Sequence, residues 1–156
     1  MSTTTHDVRE CIRMCNSLLQ GELSAIETYS NAIHKHGAEP PTARLMQFRD
    51  DHIESANLLR ENVKSMGGEP DRNSGAWGSF AKSIQKAASL FGENSTLQAL
   101  QEGEEHGRNE YHEALESRHV LPDCKDLIRT RLLPPIERHI SALKALKTEN
   151  NQEKTL

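Results

Sequence analysis

Two glutamates and two histidines fall where the helical pattern of this chain otherwise requires apolar side chains: Glu22, His52, Glu104 and His139. Their surroundings repeat. Leu18, Gly21, Glu22, Tyr29, Ala32 and Ile33 align with Leu100, Gly103, Glu104, Tyr111, Ala114 and Leu115 at a constant offset of 82 residues. Leu45, His52, Ile53 and Leu59 align in the same way with Leu132, His139, Ile140 and Leu146 at an offset of 87. A carboxylate buried without a partner costs on the order of several kcal/mol, so two of them in one seam need compensation. A divalent cation would supply it, because two carboxylates and two neutral imidazoles together carry two negative charges, and mixed oxygen and nitrogen ligation suits iron, zinc or manganese. The competing reading is a metal-free layer in which ionised glutamates pair with protonated histidines, or water fills the gap.

Helices must position these groups. Val8, Ile12, Cys15, Leu19, Glu22, Ile26, Tyr29, Ile33 and His36 alternate at steps of four and three, which predicts one unbroken first helix. It stops at Gly37-Ala38-Glu39-Pro40-Pro41, where glycine can cap in the left-handed conformation and proline cannot continue the ladder. Thr42 is placed to cap a second helix with its seam through Leu45, Phe48, His52, Ser55, Leu59 and Met66, ending at Gly67-Gly68. After a polar loop, Trp77, Phe80, Ile84, Ala88 and Phe91 read as a short covering helix. Ser95 is placed to cap a third long helix through Leu97, Leu100, Glu104, Tyr111 and Leu115. A fourth runs through Leu127, Leu132, Ile136, His139, Leu143 and Leu146, and Pro134-Pro135 predict a kink or a division into two pieces. Residues 148–156 are polar and read as a frayed tail.

The expected architecture is all-α: one domain over 1–156, with a core at 8–147, made of two antiparallel hairpins joined by a long crossover at 67–94. That connectivity belongs to ferritin-like four-helix bundles. Counted from the hairpin loops, the four polar residues reach a common layer to within about one turn, roughly 5 Å.

Composition fits helices and excludes other classes. Only 4% of residues are aromatic and 27% are charged, which disfavours an all-β domain. With 19 basic and 23 acidic side chains the net charge is −4, so no basic field attracts nucleic acid or an anionic membrane. No apolar run approaches the roughly 20 residues of a membrane span, and the polar N-terminus lacks a signal peptide's apolar segment, which makes the cytoplasm the expected compartment. Cys11, Cys15 and Cys124 do not suggest a disulfide framework. Cys11 and Cys15 share a face at a spacing suited to a soft metal, but no Cys or His stands near them in sequence, and they read as small buried hydrophobes. Tyr29 and Tyr111 lie about 10 Å along the helix from the glutamates that precede them and read as core residues. His6, His34, His112 and His119 fall on polar faces, and His36 closes the first helix, where an imidazolium suits the dipole. No phosphate-binding loop, nucleophile elbow or dinucleotide fingerprint is present.

The stretch Leu18-Leu19-x-x-Glu22-Leu23-x-Ala25-Ile26-x-x-Tyr29 resembles the first helix of bacterioferritins, and Met66-Gly67-Gly68-Glu69-Pro70 resembles the end of their second. The run from Gly67 through Ser74-Gly75-Ala76-Trp77-Gly78 to Gly103-Glu104 and Tyr111 is closer to an uncharacterised bacterial family of ferritin-like four-helix bundles. The resemblance implies a di-iron ligand role for Glu22. Ferritin-like di-iron proteins take a Glu from each of two helices and Glu-x-x-His from each of the others. Here Glu22 and Glu104 match the lone glutamates, whereas helix two offers His52-x-x-Ser55 and helix four Ile136-x-x-His139 or His139-x-x-Ala142. The missing groups are the bridging carboxylates, which hold two irons about 3.5 to 4 Å apart. A single ion, a weakened two-metal site and a remnant site all fit. The expected function is metal binding at Glu22, His52, Glu104 and His139, with iron, zinc or manganese, oxidative chemistry as the enzymatic version, and homo-oligomers compatible with the surface. The alternative is a metal-free bundle serving a structural, stress-related or protein-interaction role.

Overall fold

The computed structural model describes residues 5–37, 40–75 and 93–155. Four stretches of helix pack lengthwise: α1 (Thr5–Lys35), α2 (Thr42–Ser65), α3 (Glu93–Glu116), and a last stretch made of α4 (Pro122–Leu127), a π-helical turn (Ile128–Leu132) and α5 (Leu133–Thr155). Among the described residues there is no strand. Helix α1 packs along α2, α3 along α5, and the two pairs join mainly through α1 and α3.

The core is divided by a polar layer. One apolar cluster holds Cys11, Cys15, Leu19, Leu59, Val63, Tyr111, Ala114, Ile128 and Leu132; the other holds Tyr29, Leu45, Phe48, Leu97, Leu100 and Leu143. Each fully buried large aliphatic side chain contributes about 1.5–3 kcal/mol, so the two clusters clamp what lies between them. Along the chain α1 passes from the first cluster to the second, α2 and α3 pass from the second to the first, and the last helical stretch returns. This up-down-down-up order leaves the end of α2 and the start of α3 at opposite ends of the bundle. The connection must therefore run its length.

The described part of that connection, residues 66–75, lies along α1. Asn16 donates to the Glu69 carbonyl (3.0 Å) and accepts from the Asp71 N–H (2.9 Å), while Gln20 donates to Asp71 (2.6 Å). Gly67 has φ +83° and closes α2, with the Gly67 and Gly68 N–H groups bonded to the Lys64 and Val63 carbonyls. Gly68 lies so close to α1 that a Cβ there would stand 2.7 Å from Ile12 Cγ2. The short covering helix expected through Trp77, Phe80, Ile84, Ala88 and Phe91 lies outside the described residues.

Several helix ends differ from expectation. Thr42 does not cap α2: Pro41 occupies the cap position and the Thr42 hydroxyl donates to the His36 carbonyl (2.6 Å), tying the hairpin loop to α1. Gly37 does not take a left-handed conformation. Helix α3 begins at Glu93, ahead of Ser95. The last helix is interrupted just before Pro134-Pro135 by a π turn, in which the Leu133 N–H reaches the Ile128 carbonyl, and runs on as α5 through both prolines. Thr130 and Arg131, whose carbonyls an α-helix would aim at the proline rings, lie in that wider turn. The tail from Thr148 is helical to Thr155, where Asn150 and Asn151 bond Asn94 at the start of α3.

Candidate metal centre

The polar layer between the two clusters brings Glu22, His52, Glu104 and His139 into one hydrogen-bonded network, each residue no more than 4% exposed. The register explains it. On α1, Glu22 lies between Leu19 and Tyr29; on α2, His52 between Phe48 and Ala56; on α3, Glu104 between Leu100 and Tyr111; on α5, His139 between Ile136 and Leu143. His52 uses both ring nitrogens, Nδ1 to Glu22 Oε2 (2.6 Å) and Nε2 to Glu104 Oε1 (2.7 Å). His139 Nδ1 meets the same Glu104 Oε1 at 2.9 Å, and its Nε2 meets Asp51 Oδ2 at 2.8 Å. The tyrosine hydroxyls cross the bundle, Tyr29 donating to Glu104 Oε1 (2.7 Å) and Tyr111 to Glu22 Oε1 (2.5 Å).

Three donors thus converge on one oxygen of Glu104, while its other oxygen, Oε2, is buried with no hydrogen-bond partner. One ligand atom from each of His52, Glu104 and His139 lies within 4.8 Å of the others. Glu22 stands behind His52, on the nitrogen that faces away from Glu104.

The electrostatics follow from burial and pairing. Burial alone would drive His52 towards neutrality, but the charges of Glu104 and Glu22 on either side outweigh it and hold the imidazole well above its ordinary value. Burial likewise opposes ionisation of Glu104, yet the charge on His52 and hydrogen bonds from His139 and His52 bring its carboxyl down to about 2. Burial, reinforced by the charge of Glu104 on Tyr29 and of Glu22 on Tyr111, pushes both phenols well above their ordinary range, so they remain donors. Tyr111→Phe should therefore lower stability by about 1.5–3 kcal/mol, the range for a hydrogen bond to a charged group. Thermal unfolding of the metal-free protein measures it; an unchanged midpoint would mean that the hydroxyl is replaced by water without loss.

A cavity of about 50 Å³ between α1 and α3 reaches Glu22, His52, Glu104 and both tyrosines. Small residues, among them Gly21, Ala25, Gly103 and Gly107, line its walls. A water needs about 10–15 Å³ on this measure, so the space suits water or a molecule of similar size.

Residues 10–117 match the family model described as a domain of unknown function, DUF2383. The chain belongs to the DUF2383 family. It is also similar to a solved structure described as ferritin like, diiron-carboxylate proteins from Bacillus anthracis str. Ames, with a TM-score of 0.60 and 21% identity over 96% of this chain and 98% of that one. No curated protein matches. This DUF2383 chain is therefore a ferritin-like helical bundle whose core contains a His/Glu group able to hold a metal.

Sequence reasoning missed three members of the centre. Tyr29 and Tyr111 are remote from the glutamates on their own helices but bond the glutamate of the other helix, a contact visible only once α1 and α3 are set antiparallel. Asp51 is 40% exposed at its side chain and gave no apolar-seam signal. Its one cue was its place beside His52. Of the remaining histidines, His34, His106, His112 and His119 are exposed, and His36 bonds Thr96 Oγ1 (2.9 Å) far from the layer.

Proposed function

We propose that the protein binds one divalent metal ion, iron, manganese or zinc, through His52 Nε2, Glu104 and His139 Nδ1. The observation that carries this reading is the shared arrangement of the two imidazoles. Each has one nitrogen turned to Glu104 and the other held by an outer carboxylate, Glu22 for His52 and Asp51 for His139. An imidazole oriented by a carboxylate on its far nitrogen is the usual setting of a metal-bound histidine, because the outer bond fixes the tautomer and raises the ligand's basicity. Glu22, counted as a ligand from sequence, here orients His52. The unpartnered Glu104 Oε2 supplies the donor atom that the proton network leaves over.

The donor set fits one ion better than two, since the second pair of carboxylates is replaced by His52 and Ile136, and one of the two histidines by Ser55. The neighbour's description as a diiron-carboxylate protein makes iron the first ion to test. Bound iron or manganese would supply one-electron chemistry and bound zinc a Lewis acid. Tyr29 and Tyr111 fix the carboxylates, and the small-residue cavity admits a ligand the size of water.

One observation favours a second reading. Apart from Glu104 Oε2, no side-chain N or O atom of the four central residues lacks a partner, so protons alone nearly complete the network, as a polar layer that only sets helix register would require. Titration of chelator-stripped chain with Fe(II) under anaerobic conditions, Mn(II) and Zn(II) separates the two. The metal reading expects one equivalent bound, and about 10–100-fold weaker binding in Asp51→Ala, the usual effect of losing an outer carboxylate. No binding of any of the three ions by the unaltered chain would leave the register reading.

A further inference from the structure

A second group of metal-ligating side chains lies inside the first apolar cluster, away from the Glu/His layer. Cys11 and Cys15 sit one turn apart on α1, and Cys124, 109 residues beyond Cys15, enters from α4. The absence of a third thiol, which made Cys11 and Cys15 read as simple hydrophobes, is thus corrected by the fold. All three are free and at most 2% exposed, and their sulfurs lie within 4.8 Å of one another, Cys15 and Cys124 at 3.0 Å. Two N–H groups point at the cluster: Asn62 Nδ2 at Cys15 Sγ (3.3 Å) and the Leu121 backbone N–H at Cys11 Sγ (3.4 Å).

We propose that Cys11, Cys15 and Cys124 form a sulfur-only site for one monovalent copper ion, separate from the Glu/His centre. The donor set selects the ion. Thiolates favour Cu(I) and zinc, whereas manganese, magnesium and calcium require oxygen. Structural zinc takes four ligands, and no fourth His, Cys, Asp or Glu joins the cluster among the described residues. Three buried sulfurs suit a low-coordinate soft ion.

Charge agrees with this choice. The Leu121 N–H meets Cys11 Sγ and the Asn62 amide meets Cys15 Sγ, so hydrogen-bond donors already face the sulfurs on which negative charge rests when a metal binds. Entry of Cu(I) displaces thiol protons to solvent, as metal binding to cysteine requires. Two thiolates, one thiol and a monovalent ion leave a single negative charge, spread over sulfurs that accept the Asn62 and Leu121 N–H groups. The ion enters as Cu(I), and no electron is transferred.

The test uses the full chain, reduced and kept anaerobic, competing for Cu(I) with the chromophore bicinchoninate. The proposal expects one equivalent withdrawn from the chromophore, near-ultraviolet thiolate-to-copper absorption, and unchanged binding in Glu104→Ala. Cys124→Ala should bind more than about 100-fold more weakly, beyond the loss typical of an outer-sphere partner. X-ray absorption of the copper-loaded unaltered chain does not depend on how that variant folds, and should show sulfur neighbours alone. Failure to withdraw copper, nitrogen or oxygen neighbours, or retention of zinc against equimolar Cu(I) would overturn the proposal. So would a Cys15–Cys124 disulfide that persists under the reducing conditions.

Discussion

His52→Ala should destabilise the metal-free protein more than any other single change in the polar layer, by about 3–5 kcal/mol, the cost of removing one partner from a buried ion pair. The reason lies in its position. His52 bonds Glu22 and Glu104 at once, so its loss leaves two buried carboxylates without the charge that compensates them. For a chain of this size about 2–4 °C of midpoint accompanies each kcal/mol, which predicts a fall of roughly 6–20 °C. His34→Ala, on an exposed position of α1, should leave the midpoint unchanged.

The pH dependence has a definite sign. The imidazole of His52 is raised above its ordinary 6.5 by folding, so its stabilisation is complete below that pH and is lost as pH rises through the higher folded value. Glu104 is lowered from 4.5 to about 2, so its stabilisation is complete above 4.5 and is lost as pH falls towards 2. From these two groups the metal-free protein should be most stable between about pH 4.5 and 6.5, and His52→Ala should remove the alkaline decline. Thermal midpoints from pH 4 to 9 for both proteins measure this. An unaltered protein whose stability rises steadily to pH 9 would contradict the placement of a protonated His52 between two carboxylates.

Added metal should reverse the alkaline trend. An ion held by His52 Nε2 must displace the proton there, so its affinity increases with pH while the proton network weakens. At about 100 times the dissociation constant, binding stabilises the fold by about 2.7 kcal/mol, or roughly 5–11 °C for this chain. The increment should be larger at pH 8 than at pH 6 and absent in Glu104→Ala. An increment that is equal at both pH values, or that survives in Glu104→Ala, would place the ion elsewhere.

The bundle was legible because its helices are amphipathic with few exceptions. Leu45, Phe48, His52, Ser55 and Leu59 fall on one seam of α2 by their spacing, and all five are buried. The same period located Glu22, Glu104 and His139, since a polar residue in an apolar stripe is conspicuous. Contacts between helices were not legible. The crossed tyrosine bonds depend on the antiparallel setting of α1 and α3, and Asp51 reaches His139 across α2 and α5 from a position that reads as surface. The approach of Cys124 to Cys11 and Cys15 needs the chain to return past α3. Local chemistry misplaced the helix ends too: Thr42 can cap in principle, but its hydroxyl finds the His36 carbonyl once the hairpin closes. Pro134 and Pro135 predict a break only for an α-helix, and the π turn beside them removes the conflict.

The most direct measurement is the iron, manganese and zinc content per chain of protein purified without affinity tags or chelators, determined by elemental mass spectrometry beside Glu104→Ala/His139→Ala. Close to one of these ions per chain is expected in the unaltered protein and none in the variant. An unaltered chain that carries none of them and takes up none when they are supplied, or a variant that keeps its full complement, would contradict a metal centre at His52, Glu104 and His139.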